Sequence, residues 1–195
     1  SPERFIKRVG DAVISQPIKG TSKRGSNKEE DDRLKKALIT NKKERSENVM
    51  IVDLVRNDFS RFAKKGTVEV KELLAAYSFP QVHQLISTIS CEAEGISSVE
   101  VIKNCFPMGS MTGAPKQRTM EILNEIEEGV SRGPYSGCLG YISLNGCMDM
   151  NIIIRSAVLT PIPNTDKSME SWKASIGCGG AITALSDSND EYEEM

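Results

Sequence analysis

An α+β fold is predicted by two features of the sequence: two-residue turn signals that join runs of β-branched residues, and capped helices between those runs. Gly10-Asp11 separates 4–9 from 12–16, and Asn145-Gly146 separates 134–144 from 147–160, so each flanking pair reads as a hairpin. Residues 35–62 repeat Val49, Val52, Val55, Phe59 and Phe62 at three- and four-residue steps up to Gly66, which predicts one long helix with one buried face. Strands are expected over 67–77 and 82–94, where β-branched residues concentrate, and again over 172–176. Ser97-Ser98-Val99-Glu100 is a capping box for a short helix ending near Phe106-Pro107, and Ser186 to Asn189 cap a last one.

With 195 residues, 38% hydrophobic and 27% charged, the chain can bury one sizeable core, so a single domain is the default. A net charge of −2 with interspersed signs gives no basic stripe for nucleic acid, and no apolar run is long enough to cross a bilayer. A small-molecule partner is expected. Five cysteines at 91, 105, 138, 147 and 178, without a C-x-x-C, fit reduced core thiols in the cytoplasm better than a disulfide frame or a zinc site. The chain starts at Ser1 and stops at Met195 inside a predicted helix, which reads as a piece of a longer protein.

The chemistry centres on Pro17-Ile18-Lys19-Gly20-Thr21. Pro17 stops the ladder of the strand ending at Gln16, and Gly20 lets the backbone approach a ligand. A lysine of ordinary pKa is a free amine in roughly one molecule in a few thousand at neutral pH, so a nucleophilic Lys19 needs burial or a neighbouring cation. Lys23 and Arg24 are the nearby candidates. The hairpin before it brings Glu3 and Lys19 to the outer ends of paired strands.

Other groups carry weaker signals. Glu44 and Glu47, at i and i+3 on the long helix, point the same way and suit Mg²⁺, and Glu191 and Glu194 repeat that spacing at the end of the chain. Glu125 and Glu128 have it too, on a helix face read as solvated. Residues 109–116 (GSMTGAPK) are a Gly-rich loop feeding a helix. Its free N–H groups, with Lys116, can receive a carboxylate or can simply form a capped start. Tyr135 and Arg155 lie about ten residues before and about ten after Asn145, so they can meet across the hairpin, where the arginine fork could clamp a carboxylate. The bare backbone of 177–180 can approach a bound acid.

In order along the chain, SPE at 1–3, PIKGT at 17–21, ENVMIVDLVRND at 47–58, GSMTGAPK at 109–116, GPYSG at 133–137, Ile154-Arg155 and GGAIT through EYEE at 179–194 resemble the chorismate-utilising enzymes. Within that family, lysine in PIKGT is similar to the aminodeoxychorismate synthase component I branch; the anthranilate, isochorismate and salicylate synthases carry alanine there.

The resemblance implies two large, mostly antiparallel sheets packed face to face with helices outside. Residues 1–195 would be the C-terminal part of one chorismate-binding domain, truncated at both ends and inactive alone. It implies that Lys19 is the nucleophile and Glu3 the general acid, and that Glu44, Glu47, Glu191 and Glu194 hold Mg²⁺. Tyr135, Arg155, Gly179 and Gly180, with Gly20 and more weakly Ser110 and Lys116, would bind substrate. The implied reaction converts chorismate and ammonia, delivered by a glutamine amidotransferase subunit or fused domain, to 4-amino-4-deoxychorismate, on the way to para-aminobenzoate and folate. One departure stands out. The family's histidine precedes Leu-Val-Ser, whereas here Gln84 precedes Leu85-Ile86-Ser87 and His83 lies one residue early, on the opposite strand face, which leaves it outside the site. Anthranilate synthase component I and a catalytically inactive chorismate-binding relative are the competing readings.

Overall fold

The computed structural model describes residues 3–162 and 171–193. Strand β1 (Arg4–Val9) turns through Gly10-Asp11 into β2 (Ala12–Gln16), and after Pro17 the chain resumes as β3 (Ile18–Lys23). Helices α1 (Lys28–Thr40) and α2 (Lys42–Ser60) follow, then β4 (Glu69–Ser78), β5 (Val82–Glu92) and α3 (Ser98–Cys105). A single 3₁₀ turn (Gly109–Met111) leads to α4 (Lys116–Ile126), then β6 (Cys138–Ile142), β7 (Met148–Ile152), β8 (Ala157–Ile162), β9 (Ser171–Ile176) and α5 (Ser188–Glu193). The α+β class stands: β1 to β7 form one antiparallel seven-stranded sheet, and β8 and β9 form a two-stranded ribbon.

The expected single helix over 35–62 is two. Asn41 ends α1, giving its N–H to Leu38 O, and starts α2, its side chain accepting the Glu44 N–H. A capping asparagine between two helices competes locally with the helical ladder, and apolar periodicity alone does not register it. Of the predicted stripe, Val52, Val55 and Phe59 are buried and Phe62 packs against them, whereas Val49 is exposed; Ile51 and Leu54 complete the buried face. That face joins Phe5, Ile6, Val13, Ile89, Met148 and Ile152 in one core, each fully buried aliphatic or aromatic side chain contributing roughly 1.5–3 kcal/mol.

β5 organises the sheet. One edge pairs β4, and the other pairs β2 (Ser15↔Ile89) and then β3 (Ile18↔Ile86). Thus β2 and β3 are one strand interrupted at Pro17, whose carbonyl still accepts the Ser87 N–H. Between Ile18↔Ile86 and Thr21↔Gln84 the register slips, so Lys19 and Gly20 both stand opposite Leu85. This is a β-bulge, and Gly20 adopts the φ of +93° it needs.

The Asn145-Gly146 hairpin forms as β6–β7, but shorter than expected. Beyond Cys138↔Ile152 only Ser136 and Gly137 still bond to Ile153, before Ser136 and Arg155 turn to positive φ. Tyr135 and Arg155 therefore lie off the strands. Helix α4 ends at Ile126, so Glu125 is on it and Glu128 lies past it; both are exposed. Cys91 and Cys105 are core residues as expected, but Cys138 and Cys147 are only half-buried and Cys178 is exposed. All five thiols are free, and among the described residues no helix is long and apolar enough to cross a membrane.

Candidate active site

The bulge brings Lys19 under α2. Its Nζ lies 3.7 Å from Glu47 Oε2, and Glu47 is buried with Oε1 lacking any hydrogen-bond partner. The cations expected to attend Lys19 are elsewhere: Arg24 forks onto Asp31 with two 2.7 Å bonds, and Lys23 is exposed.

Glu3 sits just before β1, where its carbonyl accepts the Ile152 N–H. The break at Pro17 frees the Ile18 N–H for the Glu3 carboxylate, and Ser110 supplies a second hydrogen bond. Gly109 favours this: a Cβ there would stand 3.0 Å from Leu54 Cβ, so a larger residue would push the 109–111 turn and α2 apart. Glu3 is 8% exposed, and burial raises its pKa to about 7 against the pull of Lys19, the two hydrogen bonds and Arg155. A carboxyl whose pKa lies near neutrality, within the field of an amine, is suited to general acid work.

Glu44 and Glu47 share α2, and α5 comes to the same helix: Lys43 Nζ is 2.5 Å from Glu191 Oε1. Hydrogen bonding from Lys43 lowers the Glu191 pKa. Two glycines allow the approach. A Cβ on Gly20 would lie 3.2 Å from Glu44 Oε2, and one on Gly180 would lie 3.1 Å from Glu191 Oε2. Among the described residues no three His, Cys, Asp or Glu side chains are gathered as a metal cluster, and Glu194 lies outside them. The buried, unpartnered Glu47 Oε1 is nonetheless an acceptor that a hard cation satisfies, so the carboxylates present fit Mg²⁺.

Tyr135 and Arg155 are not brought together. The Tyr135 ring lies against Gly177, where any Cβ would collide with it, and its hydroxyl is 3.4 Å from a Cβ placed on Gly179. Arg155 instead acts on Glu3, and no hydrogen bond or ion pair joins it to Tyr135 among the described residues. The ladder that would have paired them ends at Ile153. Lys116 is also placed differently from the expected open helix start: its Nζ is 2.6 Å from Asp58 Oδ2 and 3.2 Å from the Cys105 carbonyl, in a nearly buried pair. His83, 1% exposed, is held between Ser78 Oγ and Asp31 Oδ1, both at 2.9 Å, as a structural histidine.

Sequence reasoning missed Asn48, Ser87 and Lys43. Asn48 lies three, four and seven residues before Ile51, Val52 and Val55, and a polar residue within an apolar stripe was the available signal.

The whole chain, residues 1–195, matches the family model described as chorismate binding enzyme. It is 47% identical to the chloroplastic aminodeoxychorismate synthase of Arabidopsis thaliana, over all of this chain and 20% of that protein. It is 40% identical to aminodeoxychorismate synthase component 1 of Klebsiella aerogenes, over all of this chain and 41% of that one. Among solved structures, anthranilate synthase component I from Streptococcus pneumoniae superposes with a TM-score of 0.79 at 31% identity, covering all of this chain and 40% of that chain. The chain thus spans less than half the length of each of these relatives. A sheet with a bulged lysine facing a buried acid, matched end to end by the family's model, places this chain in the chorismate binding enzyme family.

Proposed function

We propose that the protein containing this chain is an aminodeoxychorismate synthase, adding ammonia to chorismate to give 4-amino-4-deoxychorismate. The observation that carries the reading is the bulge that sets Lys19 Nζ 3.7 Å from the buried Glu47, with the buried Glu3, its pKa raised to about 7, within reach of the lysine's charge. The aminodeoxychorismate synthases of Arabidopsis and Klebsiella among the relatives support the same choice.

As the free amine, Lys19 attacks C2 of the ring. The two ring double bonds shift, the C4–O bond breaks, and the hydroxyl leaves as water with the Glu3 proton. The adduct nitrogen returns a proton to Glu3. Ammonia then bonds to C4, the C2–N bond breaks, and Lys19 recovers its amine as one ammonia proton returns to it. The burial of Glu3 keeps its proton available near pH 7, and Ser110 and the Ile18 N–H hold the carboxyl in place. Glu44, Glu47 and Glu191, with Glu194, are the residues that would hold Mg²⁺. When bound, that ion neutralises a substrate carboxylate. Arg155, beside Glu3, supplies positive charge for a second carboxylate, while Tyr135 shapes the approach along Gly177 to Gly180.

Ammonia from a glutamine amidotransferase, a product destined for para-aminobenzoate and folate, and a cytoplasmic site belong to the same proposal. The Arabidopsis relative is chloroplastic by name. The test is product identity with full-length protein, chorismate, Mg²⁺ and ammonia. Aminodeoxychorismate without pyruvate supports the reading; anthranilate with pyruvate establishes the anthranilate synthase alternative, and binding without turnover the inactive one.

A further inference from the structure

A line of buried polar groups crosses the sheet beneath Lys19. In β4 the register with β5 slips between Glu72 and Ala75, and Leu74 takes a φ of +55°. Its N–H leaves the ladder and donates to Ser87 Oγ at 3.0 Å. Ser87, fully buried on β5, donates in turn to Asn48 Oδ1 at 2.5 Å. Asn48, 0% exposed on α2, points its Nδ2 at the Leu85 carbonyl (3.3 Å) and the Lys19 carbonyl (3.4 Å).

Each orientation is forced. The Lys19 and Leu85 carbonyls can only accept, so the Asn48 amide turns its Nδ2 to them, and its Oδ1 is left to accept the proton of Ser87, which itself accepts the Leu74 N–H. Those carbonyls belong to Lys19 and to Leu85, the residue that both bulge residues oppose. Two bulges on opposite edges of β5 are joined by one chain of bonds, and its last member grips the backbone of the lysine. The neighbour of Asn48 on α2 is Glu47, so one turn of helix fixes both the backbone of Lys19 and the acid beside its amine.

We infer that Asn48, oriented by Ser87, is a positioning residue that sets the bulge from which Lys19 attacks substrate. This rests on the reading of Lys19 as the nucleophile. A chain held only by the main-chain ladder can slip the extra residue along β3, and a one-residue slip turns the lysine to the other face of the sheet. Hydrogen bonds to both sides of the bulge exclude that slip.

The experiment mixes full-length protein with chorismate and Mg²⁺ without ammonia, quenches at intervals, and follows by intact mass and peptide mapping the adduct on Lys19 (chorismate less water). Wild type forms it. Asn48→Ala is expected to form it at least tenfold more slowly and Ser87→Ala several-fold more slowly, each with chorismate affinity within about twofold of wild type. Ser87→Ala is distant in sequence from Glu47, and it decides the matter if Asn48→Ala does not fold. Adduct formation at the wild-type rate in a folded variant overturns the positioning role, as does an equal loss of affinity and rate, which marks general scaffolding. Absence of adduct in wild type overturns the nucleophile reading itself.

Discussion

Lys19 Nζ faces Glu47 Oε2 at 3.7 Å, across the gap between a bulged strand and the second turn of α2. The proposed nucleophile and a proposed metal ligand are direct neighbours, and the other oxygen of that ligand is buried without a hydrogen bond. Glu47→Gln should therefore weaken Mg²⁺ binding at least about tenfold in calorimetric titration of full-length protein with chorismate present. Glu194→Gln should do the same, and the exposed Glu128→Gln should leave affinity unchanged. Equal affinities in the three variants would remove Glu47 and Glu194 from the metal site.

Glu3 gives a pH signature. Its pKa is raised by burial from 4.5 to about 7, so the folded state keeps a proton that the unfolded chain has lost. Stability from this group is complete below about pH 4.5 and is lost as pH rises through about 7, on the order of 3 kcal/mol in all. The groups facing it are Lys19, Arg155, Ser110 and the Ile18 N–H, each of which favours the charged form and limits the shift. Urea unfolding of full-length Glu3→Gln should show a gain over wild type at pH 8 that shrinks towards pH 4. Its turnover should fall about 10²–10⁴-fold.

Gly20 tests how tightly α2 is seated on the bulge. Alanine there meets both a φ of +93° and atoms of Glu44 and Leu85 at 3.2 Å. The expected cost is about 1–3 kcal/mol in denaturant unfolding, with weaker Mg²⁺ binding because Glu44 is pushed aside. Gly10→Ala is the contrast. It carries the same kind of backbone strain with nothing within 4 Å, so it should leave metal affinity alone.

The hairpins at Gly10-Asp11 and Asn145-Gly146, the Ser97 cap and the strands around β5 were legible because local turn and capping chemistry decides them. That Glu3 comes within reach of the Lys19 charge followed from counting along the first hairpin. The Asn41 break was not legible, since it depends on one side chain capping the next helix. The bulge at Lys19 was also hidden, because it is set by a third element, α2, acting through Asn48. Equal spacing from a turn placed Tyr135 opposite Arg155, but positive φ at Ser136 and Arg155 ended the ladder first. A lysine after a Gly-rich loop looked available for a ligand, and only tertiary packing shows it committed to Asp58.

That buried pair makes its own prediction. Lys116→Met leaves the Asp58 carboxylate buried and uncompensated, which should cost about 3–5 kcal/mol of stability. Adding Asp58→Leu should restore much of it. Chorismate affinity of the folded protein should change little; a large loss of affinity with unchanged stability would instead assign Lys116 to the substrate.

In the proposed reaction Lys19 forms the bond to substrate while the neighbouring acids hold the metal. The most direct measurement is steady-state formation of aminodeoxychorismate by full-length Lys19→Ala, with Mg²⁺-dependent chorismate binding measured on the same preparation. Binding within a few-fold of wild type is expected, with turnover reduced by at least about 10²-fold. Turnover equal to wild type would contradict this role of Lys19.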